Sequence, residues 1–379
     1  MNRLTCLLLL YLFFSSCTSN QRQFDNEKNI LGDWISVKTS NDPDDRGLSS
    51  NLPEFREPSF TFCKNHTYDN KVGFFKSEGK GTGLYELYLG TIAKYKISTD
   101  SISFYNLDSN RWDDYKLVKL NDAILQFEIG KRSVICKRLQ IKKNRTPNFD
   151  KIILSTSGCF GWCPISSTII NSNGTVVFKG LGYTGKKGLY TGVISKEHYQ
   201  QLQDNFRKFN FDSLKTRYAT LITDQQTISV TFVKDGKIYK SVEDYGRIAP
   251  YLFKWAYTPL EYLYQTIPLK KVEKPNPLLN ILIDSKLRLG NMVLDLNQSE
   301  TFLLFDYLNN GKQTTVSFRP RFKLKPYFDI NTFSDIDTDG RFFTFAPKGD
   351  SKPITIDIGF NFYDVNSKIW QWRKAVEYD

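Results

Sequence analysis

The sequence predicts a β-rich, multi-domain chain: a β-barrel, then an α+β domain, then a small β or α+β domain. Three observations predict it. Aromatic residues make up 15% of the chain, and with Ile, Val and Thr they fall into short alternating runs. Turn dipeptides interrupt these runs at short intervals, and long helical periods are rare. The 379 residues exceed the size, about 250 to 300 residues, at which a single core stops growing.

The N-terminus comes first. Residues 1–17, MNRLTCLLLLYLFFSSC, carry Arg3, an apolar run from Leu7 to Phe14, and then Ser15, Ser16 and Cys17. That is the order of a secretory signal. The run is shorter than the roughly 20 residues a spanning helix needs. "FSSC" resembles the lipobox of bacterial lipoproteins. The resemblance implies cleavage before Cys17, acylation of that cysteine, and, with Thr18 following, an outer-membrane address. Residues 18–28 are polar and without period, and are expected to form a flexible tether.

Residues 29–143 contain about eight short strands, from "ILGDWISV" to "SVICKRL", the number that closes a small barrel. Gly32-Asp33-Trp34 resembles the Gly-x-Trp that opens lipocalins, and "DSISFYNLD" followed by "YKLVKLNDAILQFEI" resembles the later strands of bacterial lipocalin-like domains. The resemblance implies a barrel with Trp34 plugging one end. A filled barrel is expected; a hollow one would carry a small apolar ligand.

Residues 148–268 open with the strand "KIILSTS", pass through "GCFGWCPISS", and form a hairpin around Ser172-Asn173-Gly174. "SKEHYQQLQDNFRKF" follows as a helix with Ser195 as N-cap and Tyr199, Leu202, Phe206 and Phe209 on one face. A second hairpin turns at Asp235-Gly236, and a helix from Ala249, broken near Pro259, ends the segment. The pattern Cys159-Phe160-Gly161-Trp162-Cys163-Pro164, then Gly174, Tyr218, Thr223-Asp224 and Lys237 to Lys240, resembles an uncharacterised domain family of bacterial envelope proteins. It departs from that family at Ser166, Asn173 and Gln226. The resemblance implies a fold and no activity.

Residues 275–379 follow the Pro-rich "VEKPNPL" and mix one helix, "QSETFLLFDYLNN", with strands. "DIDTDG", Asp335 to Gly340, copies the first half of an EF-hand loop, but its twelfth position is Ala346 where the bidentate Glu belongs. A full EF-hand is excluded, and Asp335, Asp337 and Asp339 are the candidates for weak calcium binding; no other cofactor is expected. "RPRFKLK", Arg319 to Lys325, would place its cations on one face of an edge strand, guarding it from aggregation.

Setting aside Cys6 and Cys17 leaves four cysteines in an oxidising compartment. Pairing Cys63 with Cys136 and Cys159 with Cys163 keeps each bridge within one domain. A thioredoxin-type pair needs Cys-x-x-Cys at a helix N-terminus. Here three residues intervene and strands flank the loop, so Cys159–Cys163 reads as a local staple, with a thiol-disulfide or redox-sensing site as the alternative. A bridged loop can hold Trp162 outward, which makes it the candidate binding residue. The two histidines, His66 and His198, lie outside any nucleophile-elbow context, and neither a phosphate loop nor a dinucleotide fingerprint occurs.

The formal charge is +12, and residues 148–268 hold 14 basic against 9 acidic residues. Outside the cytoplasm this favours anionic headgroups or glycans over nucleic acid. The expected function is therefore a lipid-anchored, non-enzymatic binding or assembly module of the cell envelope, with envelope proteins or anionic glycans as partners.

Overall fold

The computed structural model describes residues 22–40, 59–141, 144, 147–273, 284–326, 336–345 and 352–376. Cys17 lies outside them. The chain forms two compact units, one of residues 1–77 and 87–142, the other of 78–86 and 143–379.

In the first unit, β1 (Gly32–Ser40), β2 (Ser59–Phe62), β3 (Thr67–Glu78), β4 (Tyr85–Ile97), β5 (Ser101–Asn106), β6 (Arg111–Leu120), β7 (Ile124–Ile129) and β8 (Arg132–Leu139) close a barrel. β1 pairs with β8 from Asp33 opposite Leu139 to Ser36 opposite Cys136, and then shifts register across a bulge. Strand alternation sends Ile102, Phe104, Leu125 and Phe127 inward. The lumen is filled: Phe104 lies 5.2 Å from Phe60, 4.8 Å from Tyr68 and 5.7 Å from Phe127 between ring centroids. These interlocked rings are packed core.

Trp34 is fully buried, and its indole N–H donates to Ile30 O at 2.7 Å. The guanidinium of Arg138, from the last strand, stacks 4.3 Å from the ring centroid and also donates to the carbonyls of Asn29, Leu31 and Asp122. Part of the expected tether is structured. Residues 22–29 form a helix (α1), because the buried Asn26 amide donates to Ser98 O and Thr99 O, at 2.9 and 3.3 Å, and so ties this stretch to the barrel.

The expected Cys63–Cys136 bridge is not formed. Phe62 pairs with Gly32 while Cys136 pairs with Ser36. That register separates the two cysteines by two strand spacings and four to five residues of β1, roughly 15 Å or more, against a Cα limit near 7 Å for a disulfide.

The second unit contains two eight-stranded sheets. The first joins β9 (Lys151–Thr156), β10 (Ile165–Asn171), β11 (Thr175–Gly182), β12 (Gly188–Val193), β13 (Arg217–Ala219), β14 (Thr227–Lys234), β15 (Lys237–Tyr245) and β16 (Leu269–Lys271) in the order β13-β15-β14-β9-β10-β11-β12-β16. Its inner strands are buried on both faces, and the polar side chains among them are hydrogen-bonded, Ser155 to Ser167 and Thr231 to Ser299 at 2.7 Å each. One face carries α2 (Lys196–Phe206) and α3 (Tyr251–Glu261) through Tyr199, Leu202, Phe206, Phe253 and Tyr257. Ser195 caps α2 by accepting from His198 N at 3.1 Å. The helix containing Pro259 breaks at Tyr262, before the short α4 (Leu263–Thr266).

The second sheet joins β17 (Ser285–Leu289), β18 (Met292–Leu296), β19 (Lys312–Thr314), β20 (Phe322–Pro326), β21 (Ile336–Thr338), β22 (Phe342–Phe345), β23 (Ile354–Asp357) and β24 (Arg373–Lys374) in the order β19-β23-β22-β21-β20-β17-β18-β24. Between the sheets runs α5 (Gln298–Asn310), whose Phe302, Leu303, Leu304, Phe305 and Leu308 share one core with Ile153, Ile169 and Val233 of the first sheet and Leu287, Leu324 and Phe343 of the second. The segments 148–268 and 275–379 thus pack as one body, layered helices, sheet, helix, sheet. Lys323 and Lys325 do share an exposed face of β20, but the strand lies between β21 and β17 and guards no edge.

Candidate functional site

The loop between β9 and β10 is closed by the Cys159–Cys163 disulfide, with Cα atoms 5.7 Å apart. Its floor is tied down by hydrogen bonds that the sequence supplies from three elements. Thr156, at the end of β9, donates its hydroxyl to Pro164 O at 2.7 Å. Ser157 pairs with Thr227 twice, its amide donating to Thr227 O at 2.9 Å and its Oγ accepting from Thr227 N at 2.8 Å. The buried Gln226 amide spans the loop's base, donating to Ser157 O at 3.1 Å and Pro164 O at 2.9 Å.

Gln226 is itself held. Its Oε1 accepts from Arg247 Nη2 at 3.1 Å, and Arg247 is ion-paired to the fully buried Glu261 at 2.6 Å. Arg247 sits at φ 58, a left-handed conformation that the neighbouring carboxylate keeps in place: Asp244 accepts from Ile248 N and Ala249 N at 2.8 and 3.0 Å and from the Tyr257 hydroxyl at 3.0 Å. Burial raises the Asp244 carboxyl above its usual range, although these donors pull it back. A chain of buried polar groups therefore runs from α3 to the loop.

On this floor the loop holds Phe160 and Trp162 in solvent, 89% and 62% exposed. A second loop, between β13 and β14, meets it where Phe160 N donates to Asp224 O at 3.1 Å, and brings the fully exposed Leu221 and the partly exposed Ile222. Isolated exposed hydrophobics need no explanation, but four on two adjoining loops, one of them bridged, do. The other tryptophans of the second unit are engaged in packing: Trp255 against Tyr251, and Trp370 and Trp372 through indole bonds to Glu300 and the Tyr363 hydroxyl.

The geometry does not resemble a dithiol active site. Strands precede and follow the pair, and the helix N-termini among the described residues lie elsewhere, unlike the thioredoxin arrangement. Of the candidate calcium ligands, Asp335 lies outside the described residues. Asp337 faces Lys323 at 3.7 Å, and Asp339 accepts from Arg341 N and Phe342 N at 2.8 and 2.9 Å. Among the described residues, no group of three or more His, Cys, Asp or Glu is placed to share a metal ion.

A cleft of about 1190 Å³ that sequence reasoning missed lies in the second unit, lined in part by Arg217, Glu243, Asp284, Lys286, Asp295 and Trp370. Its charges largely neutralise one another, Arg217 with Glu243 at 3.2 Å and Lys286 with Asp295 at 3.9 Å. Burial pushes the Glu300 carboxyl up to about 7, yet its oxygens accept from Asn297 N and the Trp370 indole, which makes it the closing half of the α5 capping box. Glu300 therefore caps α5 and also lines the cleft.

Residues 150–264 match the model of DUF6438, a domain of unknown function. No curated protein matches the chain. The DUF6438 region covers the bridged loop, the Leu221 loop and the Gln226–Arg247–Glu261 chain, so everything that shapes the site lies inside it. The expected uncharacterised middle domain is present on this match.

Proposed function

We propose that this chain is a lipid-anchored binding module of the cell envelope, anchored through Cys17, and that its second unit engages a partner through Phe160, Trp162, Leu221 and Ile222. The observation that carries the reading is the disulfide-closed loop whose floor is fully hydrogen-bonded while its two rings stand in water. Such a loop presents apolar area already ordered, so contact costs little conformational entropy. A staple that serves only stability has no need of exposed rings at its tip.

The test is a photo-crosslinking amino acid placed at Trp162 in cells, with Glu197, exposed on the first turn of α2 at the opposite end of the sheet, as control. Adducts to an envelope component from position 162 and none from 197 are expected. Equal yields from both positions, or none from 162, overturn the reading. The anchor is checked separately by the intact mass of the N-terminal peptide beginning at Cys17.

A further inference from the structure

We propose that the bridged loop docks on an anionic bilayer surface, with Phe160 and Trp162 dipping into the headgroup region. This rests on the reading of that loop as the binding surface and names its partner. Four observations converge on it. The loop Gly158 to Pro164 has no charged side chain, so burying it desolvates no ion. Its rings project from a convex tip, 89% and 62% exposed, and the Leu221 tip beside it adds aliphatic area. Tryptophan and phenylalanine are the side chains that favour the water–membrane boundary.

The fourth observation is the charge around the tip. Strand register places the loop, the β11–β12 connection and the start of β12 at the same end of the sheet: Ile165 faces Gly182, and Gly180 faces Gly188. Lys186 and Lys187 lie on that connection, and the Lys271 stem lies where a Cβ on Gly188 would touch it. Against these lysines stand Asp224, the one acidic residue on the two apolar loops, and Glu86, whose carbonyl accepts from Gln265 beside the Tyr264 ring that Lys186 covers. A basic flank beside an uncharged aromatic tip is complementary to anionic headgroups above hydrocarbon. Among the described residues no helix is long and apolar enough to cross a membrane.

The experiment uses the full chain reconstituted in vesicles of phosphatidylcholine and phosphatidylglycerol whose acyl chains are brominated, and reads quenching of tryptophan fluorescence. Quenching that disappears in Trp162→Phe is expected. Phe160→Ser should lower the ratio of inserted to free loop about tenfold, and Lys187→Gln and Lys271→Gln about fivefold each. Replacing phosphatidylglycerol by phosphatidylcholine alone should weaken the signal in the same sense. Unchanged quenching in Trp162→Phe overturns the lipid assignment. If position 162 still yields crosslinks to a protein in cells, the loop remains a binding surface and only the membrane partner is lost. If it crosslinks to nothing, both readings fall.

Discussion

Replacing Gln226 by Leu isolates what the buried polar chain contributes to the loop. The two side chains are close in volume, so the cavity cost is small. Lost are two donations to Ser157 O and Pro164 O and one charge-assisted acceptance from Arg247. Ordinary bonds contribute about 0.5 to 1.5 kcal/mol each and one to a charged group about 1.5 to 3. Pro164 O keeps the Thr156 hydroxyl, Arg247 keeps Glu261, and Ser157 is half-buried and can take water. The sum, so discounted, is about 3 kcal/mol. Guanidinium unfolding of the oxidised protein measures it, and amide exchange at Phe160, whose N–H bonds Asp224 O, reports the loop directly. Gln226→Glu, which keeps an acceptor for Arg247 but sets a buried carboxylate oxygen against the Ser157 and Pro164 carbonyls, should lose at least as much as Gln226→Leu. A loss below about 1 kcal/mol with unchanged exchange at Phe160 would show that the disulfide alone fixes the loop, and would refute the reasoning.

Other outcomes follow from the same geometry. Glu261→Gln leaves the Arg247 charge buried without its counter-ion and should cost about 3 kcal/mol or more, measured by the same unfolding curve. Alkylation of the native protein should modify the exposed Cys63 and spare the buried Cys136 until denaturant is added; a mass showing a second disulfide, joining Cys63 to Cys136, would contradict the barrel register. Glu300 titrates near 7 in the fold against an ordinary 4.5, so the folded state holds its proton more tightly. Its contribution to stability is complete below the lower value and falls as pH rises through the higher one, by about 3 kcal/mol in all. Unfolding free energy measured across that window should drop more steeply for wild type than for Glu300→Gln.

Local signals in the sequence carried a good part of this architecture. The Ser195 cap, the Gly174 and Asp235-Gly236 turns and the barrel's alternating strands each depend on residues a few positions apart. Trp162 was legible for the same reason, since four residues define the bridged loop that carries it. What was not legible depends on partners far along the chain. Leu221 and Ile222 become a site only because Asp224 meets Phe160, and Gln226, which reads as a departure from a family pattern, is the crossbar between the loop and α3. Arg138 over Trp34 is likewise a pairing of first and last strands. The Cys159–Cys163 bridge is formed, but the expected Cys63–Cys136 bridge failed through the same blindness, because evenness and compartment say nothing about register.

The burial of α5, ten of its thirteen residues, has a consequence for how the molecule is cut and inherited. The family model ends at residue 264, but the face of its sheet that carries Ile153, Ile169 and Val233 is roofed by a helix that begins at Gln298. The segment recognisable as a unit of descent is therefore smaller than the unit that melts. A fragment ending near 272 would turn that greasy roofline to water, and its failure to stay soluble would say nothing about the loop at the other end. In this chain the lid comes from downstream of the family segment, and what supplies it is the first thing to look for when the segment appears in a new setting.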